Sequence, residues 1–182
     1  MGKLIVTKTM LAGLIVIEPQ VFGDDRGFFM EFYNRDSFAE IGIEEAFVQD
    51  NHSRSGKGVL RGLHYQISPA PMGKLVKCVR GKIFDVGVDI RKDSPTFGQW
   101  HGETLSGDNH KMLYLPPGFA HGFVALDEVN DVIYACTNVY TPAAERGIIW
   151  NDPEIGINWP LDKVTVSEKD RKNPPLKEAE VF

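Results

Sequence analysis

The stretch Gly58-Val59-Leu60-Arg61-Gly62-Leu63-His64-Tyr65-Gln66 decides the fold. Its apolar residues, bounded by turn-forming glycine, read as a strand. Yet Arg61, His64 and Gln66 stand among those apolar neighbours. Side chains alternate faces along a strand, so His64 and Gln66 share a face. Arg61 falls on the other face unless the two glycines allow a bulge. Burying such polar groups is unfavourable unless a ligand or internal partners offset it. The stretch is therefore read as both sheet core and the wall of a candidate site.

Upstream, Leu4-Ile5-Val6 and Leu14-Ile15-Val16-Ile17 are short β-branched runs and predict strands. Gly23 to Gly27 is a turn cluster. It feeds Phe28 to Tyr33, an aromatic strand that sets Glu31 among rings expected in the core. Arg35 to Gly42 predicts a helix, capped by Asp36 or Ser37 and ended by Gly42. Phe47 to Ser53 predicts a strand with Gln49 and Asn51 on one face. Downstream, Pro69 and Pro71 break the chain, and two strands, Lys74–Arg80 and Lys82–Ile90, meet about the turn residue Gly81. Further strands are read at 100–105, 112–115, 122–126 and 131–140, and the last third is rich in loops and proline. Many short strands, regular turns and one or two short helices predict an all-β protein, a sandwich or closed barrel. The double-sheet jelly roll is the variant whose interior holds a ligand.

The 182 residues suffice for one domain spanning 1–182, and no linker divides them. The net charge of −5, with no Lys/Arg-rich run, argues against a nucleic-acid surface. It does not oppose an anionic small ligand, because a few arginines in a cleft act locally. Cys78 and Cys136 lie in apolar strand-like runs and are expected as buried free thiols of a reducing compartment. No apolar run reaches the ~20 residues of a membrane span, so a cytoplasmic protein is expected.

Pro116-Pro117-Gly118-Phe119-Ala120-His121 is the second place to look for chemistry. A zinc or iron site would want about three converging His and carboxylate ligands. The stretch resembles the second motif of the cupin superfamily, Pro-x-Gly-x-x-His, at Pro116, Gly118 and His121. The first cupin motif supplies His-x-His, but here it reads His64-Tyr65-Gln66, one ligand short. A cupin jelly roll without its metal is expected.

Six stretches occur in order: Asp25-Arg26-Gly27-x-Phe29-x-Glu31, Gln49-Asp50-Asn51-His52-Ser53, Val59 to Gln66, Gly73-Lys74-Leu75-Val76, Pro117-Gly118-x-x-His121-Gly122-Phe123 and Ser167-Glu168-Lys169-Asp170. Together, from about Ile15 to Asp170, they resemble the dTDP-4-dehydrorhamnose 3,5-epimerase family. The resemblance implies His64 as general base, Asp170 as its partner, Tyr134 as proton donor on the opposite face and Lys74 beside the enolate oxygen. It implies that Arg26, Glu31, Gln49, Asn51, Arg61, His121, Glu145 and Lys169 contact the nucleotide sugar. It also implies a homodimer with strands exchanged across the interface. Two positions depart from the family pattern: Met72 replaces an expected polar residue, and Val139 stands beside Tyr140 where a second tyrosine is common.

The chemistry is coherent on its own terms. Carbons 3 and 5 of a 4-keto sugar are acidic because the carbonyl takes up the charge. Histidine titrates near neutral pH, and a carboxylate partner fixes its tautomer. A cation aimed at the enolate oxygen supplies the stabilisation. Inversion brings the new proton to the other face, which demands a second group. No hydride moves, so no nicotinamide cofactor is needed, and no Gly-x-Gly-x-x-Gly is present to bind one. Competing readings are epimerisation at one carbon, a ketoisomerase on a related dTDP-sugar, a non-catalytic sugar-nucleotide barrel and a metal-dependent dioxygenase. Read without the family, Asp170 belongs to a surface turn.

Overall fold

The computed structural model describes residues 2–182. In chain order the strands are β1 (Leu4–Lys8), β2 (Ile15–Pro19), β3 (Val21–Asp24) and β4 (Gly27–Met30), then β5 (Gln49–Ser55), β6 (Val59–Gln66), β7 (Lys74–Arg80) and β8 (Lys82–Asp89). They continue with β9 (Trp100–Ser106), β10 (Met112–Leu115), β11 (Phe119–Ala125), β12 (Asn130–Cys136), β13 (Glu145–Gly147) and β14 (Thr165–Val166). Two short helices, α1 (Arg35–Glu40) and α2 (Glu168–Arg171), interrupt them. One sheet has the order β1-β2-β10-β7-β12-β5, and the other β13-β6-β11-β8-β9 with β14 added beside β6. The expected all-β, cupin-type double-sheet jelly roll is what forms.

The main core lies between the sheets. Val76 and Cys78 of one sheet meet Ile83, Leu105 and Phe123 of the other, all buried. Each outer face is covered as well. Phe38 of α1 and Ile43 pack over Ile17, Leu75 and Met112, while Ile148, Ile155 and Leu176 cover Leu63, Val86 and Val88. Burial on both faces explains why β8 reads as a nearly continuous apolar run. Each fully buried aliphatic side chain contributes roughly 1.5–3 kcal/mol. Both cysteines are buried and free. Among the described residues, no helix is long and apolar enough to cross a membrane.

Four local expectations change. Helix α1 is capped by Asn34, whose side chain accepts from the N–H groups of Asp36 and Ser37. Asp36 and Ser37 therefore carry the donors being capped and do not cap the helix themselves. Gly81 does not close a hairpin within one sheet. It turns the chain from β7 in one sheet to β8 in the other, with φ +76. The aromatic strand stops at Met30, and its rings divide: Phe28 is 60% and Phe29 is 70% exposed on the β3–β4 hairpin, whereas Phe32 and Tyr33 pack against the core around Phe38 and Ile43. The Ser167–Asp170 turn is a helical turn capped by Ser167, and Asp170 is only 3% exposed.

Candidate active site

Strand β6 brings Arg61 and His64 to the same cleft by an irregularity at Gly62. His64 pairs with His121 of β11 and Arg61 with Phe123, so two residues of β6 oppose one of β11. This bulge returns Arg61 to the face of His64, resolving the alternation left open by the sequence. Gly62 has φ +139. A Cβ there would lie 2.5 Å from the Gly122 Cα, so the close crossing of β6 and β11 requires glycine.

The His64 Nε2 and the Asp170 Oδ1 are 2.6 Å apart. The His64 side chain is 31% exposed and that of Asp170 is 5% exposed. Asp170 is held in turn by the Gly62 N–H at 3.4 Å, and its own N–H donates to the Ser167 Oγ at 3.1 Å. Burial works against its ionisation, but the hydrogen bond to His64 and that ring's charge outweigh it, and its pKa is lowered. With Nε2 engaged by the carboxylate, Nδ1 is the ring nitrogen left for chemistry.

Lys74, Tyr134 and His121 complete the centre. A cavity of about 460 Å³ is lined by Arg61, His64, Lys74, His121, Phe123, Tyr134, Ser167, Lys169 and Asp170, among others. A second, of about 270 Å³, is lined by Gln49, Asn51, Met72, Cys136, Tyr140 and Glu145 and shares His64, Lys74 and Tyr134 with the first. The Lys74 Nζ reaches the His64 carbonyl at 3.4 Å. Burial lowers the Lys74 pKa, while Cys136, Asp85 and Glu145 pull it back up. Burial raises the Tyr134 pKa, with Cys136 adding to the rise and Arg61 opposing it, so the phenol keeps its proton at neutral pH.

The rim is tied together by polar contacts. Glu145 pairs with the Lys169 Nζ at 2.6 Å and accepts from the Tyr140 hydroxyl at 2.7 Å. The Gln49 amide donates to Asn51 and accepts from the Tyr140 N–H. Ten of the twelve expected side chains thus line the two cavities. Arg26 and Glu31 do not line either. Arg26 pairs with Asp24 at the tip of the exposed hairpin, and Glu31 accepts from Asn34 and Ser37. Sequence reasoning missed Asp85, which is wholly buried against His121. Its signal was an acidic residue inside the apolar run Ile83 to Val88.

The place of the absent cupin ligand is also explained. The Gln66 Nε2 donates to the Ala70 and Val139 carbonyls, and its Oε1 accepts from the Thr141 N–H. The side chain is spent on holding loops. Among the described residues, no three His, Cys, Asp or Glu side chains gather into a metal-binding group.

The family model for dTDP-4-dehydrorhamnose 3,5-epimerase matches residues 8–178. The chain belongs to the dTDP-4-dehydrorhamnose 3,5-epimerase family. Family members of that name from Salmonella typhimurium and Pseudomonas aeruginosa are each 53% identical to it. The match covers 97% of this chain and 97% and 98% of theirs, respectively. A solved dTDP-6-deoxy-D-glucose-3,5-epimerase from Legionella pneumophila, in complex with dTDP-4-keto-L-rhamnose, superposes with a TM-score of 0.94 at 48% identity. That match covers 97% of this chain and 94% of the other. As an epimerase of this family, the protein is an isomerase.

Proposed function

We propose that the protein converts dTDP-4-dehydro-6-deoxy-D-glucose to dTDP-4-dehydro-L-rhamnose by epimerisation at C3 and C5. The observation that carries this reading is the His64 imidazole held at 2.6 Å by a buried Asp170, with Lys74 and Tyr134 on the same cavity. In this reading the His64 Nδ1 removes the proton from C3 or C5, and the electron pair moves onto the C4 oxygen. Asp170 fixes the ring and balances the imidazolium, and the Lys74 ammonium stabilises the enolate. Tyr134 returns a proton from the opposite face, and the ketone re-forms with the carbon inverted. Gln49, Asn51, Arg61, His121, Glu145 and Lys169 hold the nucleotide sugar around that centre.

The reading takes the chain as a single domain acting as a cytoplasmic homodimer. What supports a second copy is the hairpin β3–β4, which carries Arg26 away from the cleft of its own chain and exposes Phe22, Phe28 and Phe29. Arg26 and Glu31 then serve the partner's cleft. A non-catalytic sugar-nucleotide barrel would need the arginines but not the acid–base pair.

The deciding experiment is proton-exchange NMR in heavy water on dTDP-4-keto-6-deoxyglucose. Deuterium at both C3 and C5, with formation of the L-rhamno product, is the expected result. Label at one carbon alone defeats the double epimerase, and no label at all defeats the enolate chemistry.

A further inference from the structure

His64 is not the only histidine of the cleft with a carboxylate behind it. His121 stands directly across from it in the β6–β11 register. The His121 Nε2 lies 2.7 Å from the Asp85 Oδ1, with side-chain exposures of 7% and 0%. The other oxygen, Asp85 Oδ2, is buried and has no hydrogen-bond partner among the described residues. A buried carboxylate with one oxygen unpaired is unfavourable and is kept where its charge or its geometry is used. Asp85 lies on β8 one pleat from Gly87, the cross-strand partner of His121, so the strand sets its position rigidly.

We propose that Asp85 is a positioning residue for the cleft. It holds His121 with the ring proton on Nε2, and from behind that ring its negative charge offsets the ammonium of Lys74, which lines the same cavity as His121. The first consequence concerns His121. Its Nδ1 lone pair is left facing the cleft as an acceptor for a substrate hydroxyl, and among the described residues no group hydrogen-bonds to that nitrogen. The ring stays neutral because burial lowers its pKa. Asp85 opposes that fall, whereas Lys74 and His64 add to it.

The second consequence concerns Lys74. Burial pulls its pKa down, and Asp85 is one of three groups that pull it up, with Cys136 and Glu145. The other titratable groups lining the two cavities with it are Arg61, His64, Tyr65, His121, Tyr134, Tyr140, Lys169 and Asp170. Tyr134 and Cys136 are both raised by burial and remain protonated at neutral pH. Among the neighbouring carboxylates, Glu145 is already paired with Lys169, while Asp85 faces inward with an oxygen unpaired. Removing the Asp85 charge lowers the Lys74 pKa, so the ammonium that holds the enolate is lost at a lower pH.

This inference rests on Lys74 facing the enolate oxygen, and its test separates the two claims. The rate of deuterium entry at C3 and C5 is measured against pH for the wild-type homodimer and for Asp85→Asn, with dTDP binding measured by calorimetry as a check on the intact site. The expected result is a basic limb moved to lower pH by about one unit or more, with dTDP still bound. On the alkaline side the variant then exchanges roughly tenfold more slowly or worse. An unmoved limb, even with a lower plateau, makes Asp85 merely structural and overturns the inference. A wild type that incorporates no deuterium overturns the epimerase reading instead. Should Asp85→Asn fail to fold, ¹⁵N NMR of the wild-type histidine rings decides the tautomer. A protonated Nε2 and bare Nδ1 on His121 near pH 7 are expected, and the opposite tautomer overturns the inference.

Discussion

Two His–Asp pairs face each other across strands β6 and β11, alike in contact and unlike in setting. His64 meets Asp170 at 2.6 Å, and His121 meets Asp85 at 2.7 Å, each through Nε2. The first ring is 31% exposed and the second 7%. Asp85 comes from the middle of a core strand, whereas Asp170 comes from a single helical turn in the loop-rich last third. The same two side chains therefore suit different tasks. A ring that must take on and release charge needs access to substrate and water, with a carboxylate ready to balance it. A ring walled in by the core keeps one tautomer and serves as a fixed hydrogen-bonding group.

The comparison breaks most directly at His64. His64→Ala is expected to lower kcat by about 10²–10⁴-fold while dTDP binding, followed by calorimetry, persists. Turnover within tenfold of wild type would mean that the exposed pair is not the acid–base pair. Asp170→Asn should follow closely, on the order of 10²-fold or more, because an amide neither fixes the tautomer nor balances the imidazolium. A loss confined to KM would reassign Asp170 to binding.

Tyr134→Phe sharpens the division of labour between the faces. Deuterium should still enter at C3 and C5 through His64, while inversion slows on the order of 10²-fold. Inversion keeping pace with exchange in that variant would place the second proton source elsewhere. The smallest effect tests how each carboxylate is mounted. Ser167→Ala removes the cap of α2 and is expected to cost about 1 kcal/mol in a denaturant titration. It should lower kcat several-fold through a less well-placed Asp170. A stability loss with kcat untouched would show that the cap does not govern the dyad.

Much of the fold was legible because its signals are local. Short β-branched runs, glycine and proline turns and only one or two short helices indicate an all-β sandwich by periodicity and turn chemistry alone. Errors arose where local signals conflict with long-range packing. Phe28 and Phe29 look like core by composition, yet the hairpin that carries them projects from both sheets. Gly81 looks like a hairpin turn, yet the chain changes sheet there. Asp36 and Ser37 are good caps, but Asn34 sits one position before the first helical N–H groups.

The site was legible unevenly, for the same reason. His64, Lys74 and His121 lie on strands, where a pattern of polar residues in apolar runs marks them. Asp170 is invisible to pattern, since Ser167-Glu168-Lys169-Asp170 is by itself an ordinary polar turn. Its burial comes from β14 pairing with β6, which carries α2 to the back of His64 across 106 residues of sequence.

The amino-acid order alone determined most of the strands (though not β3, β13 or β14), the buried thiols and the family to which the motifs belong, since each depends on residue types at fixed short spacing. The tertiary structure decided which cleft histidine is half-open and which is nearly buried, and that Arg61 shares a face with His64. It also decided that Asp85 and Asp170 are the carboxylates the two rings meet. Those outcomes depend on strand register and on a bulge at Gly62, and register is set by partners far away in the chain.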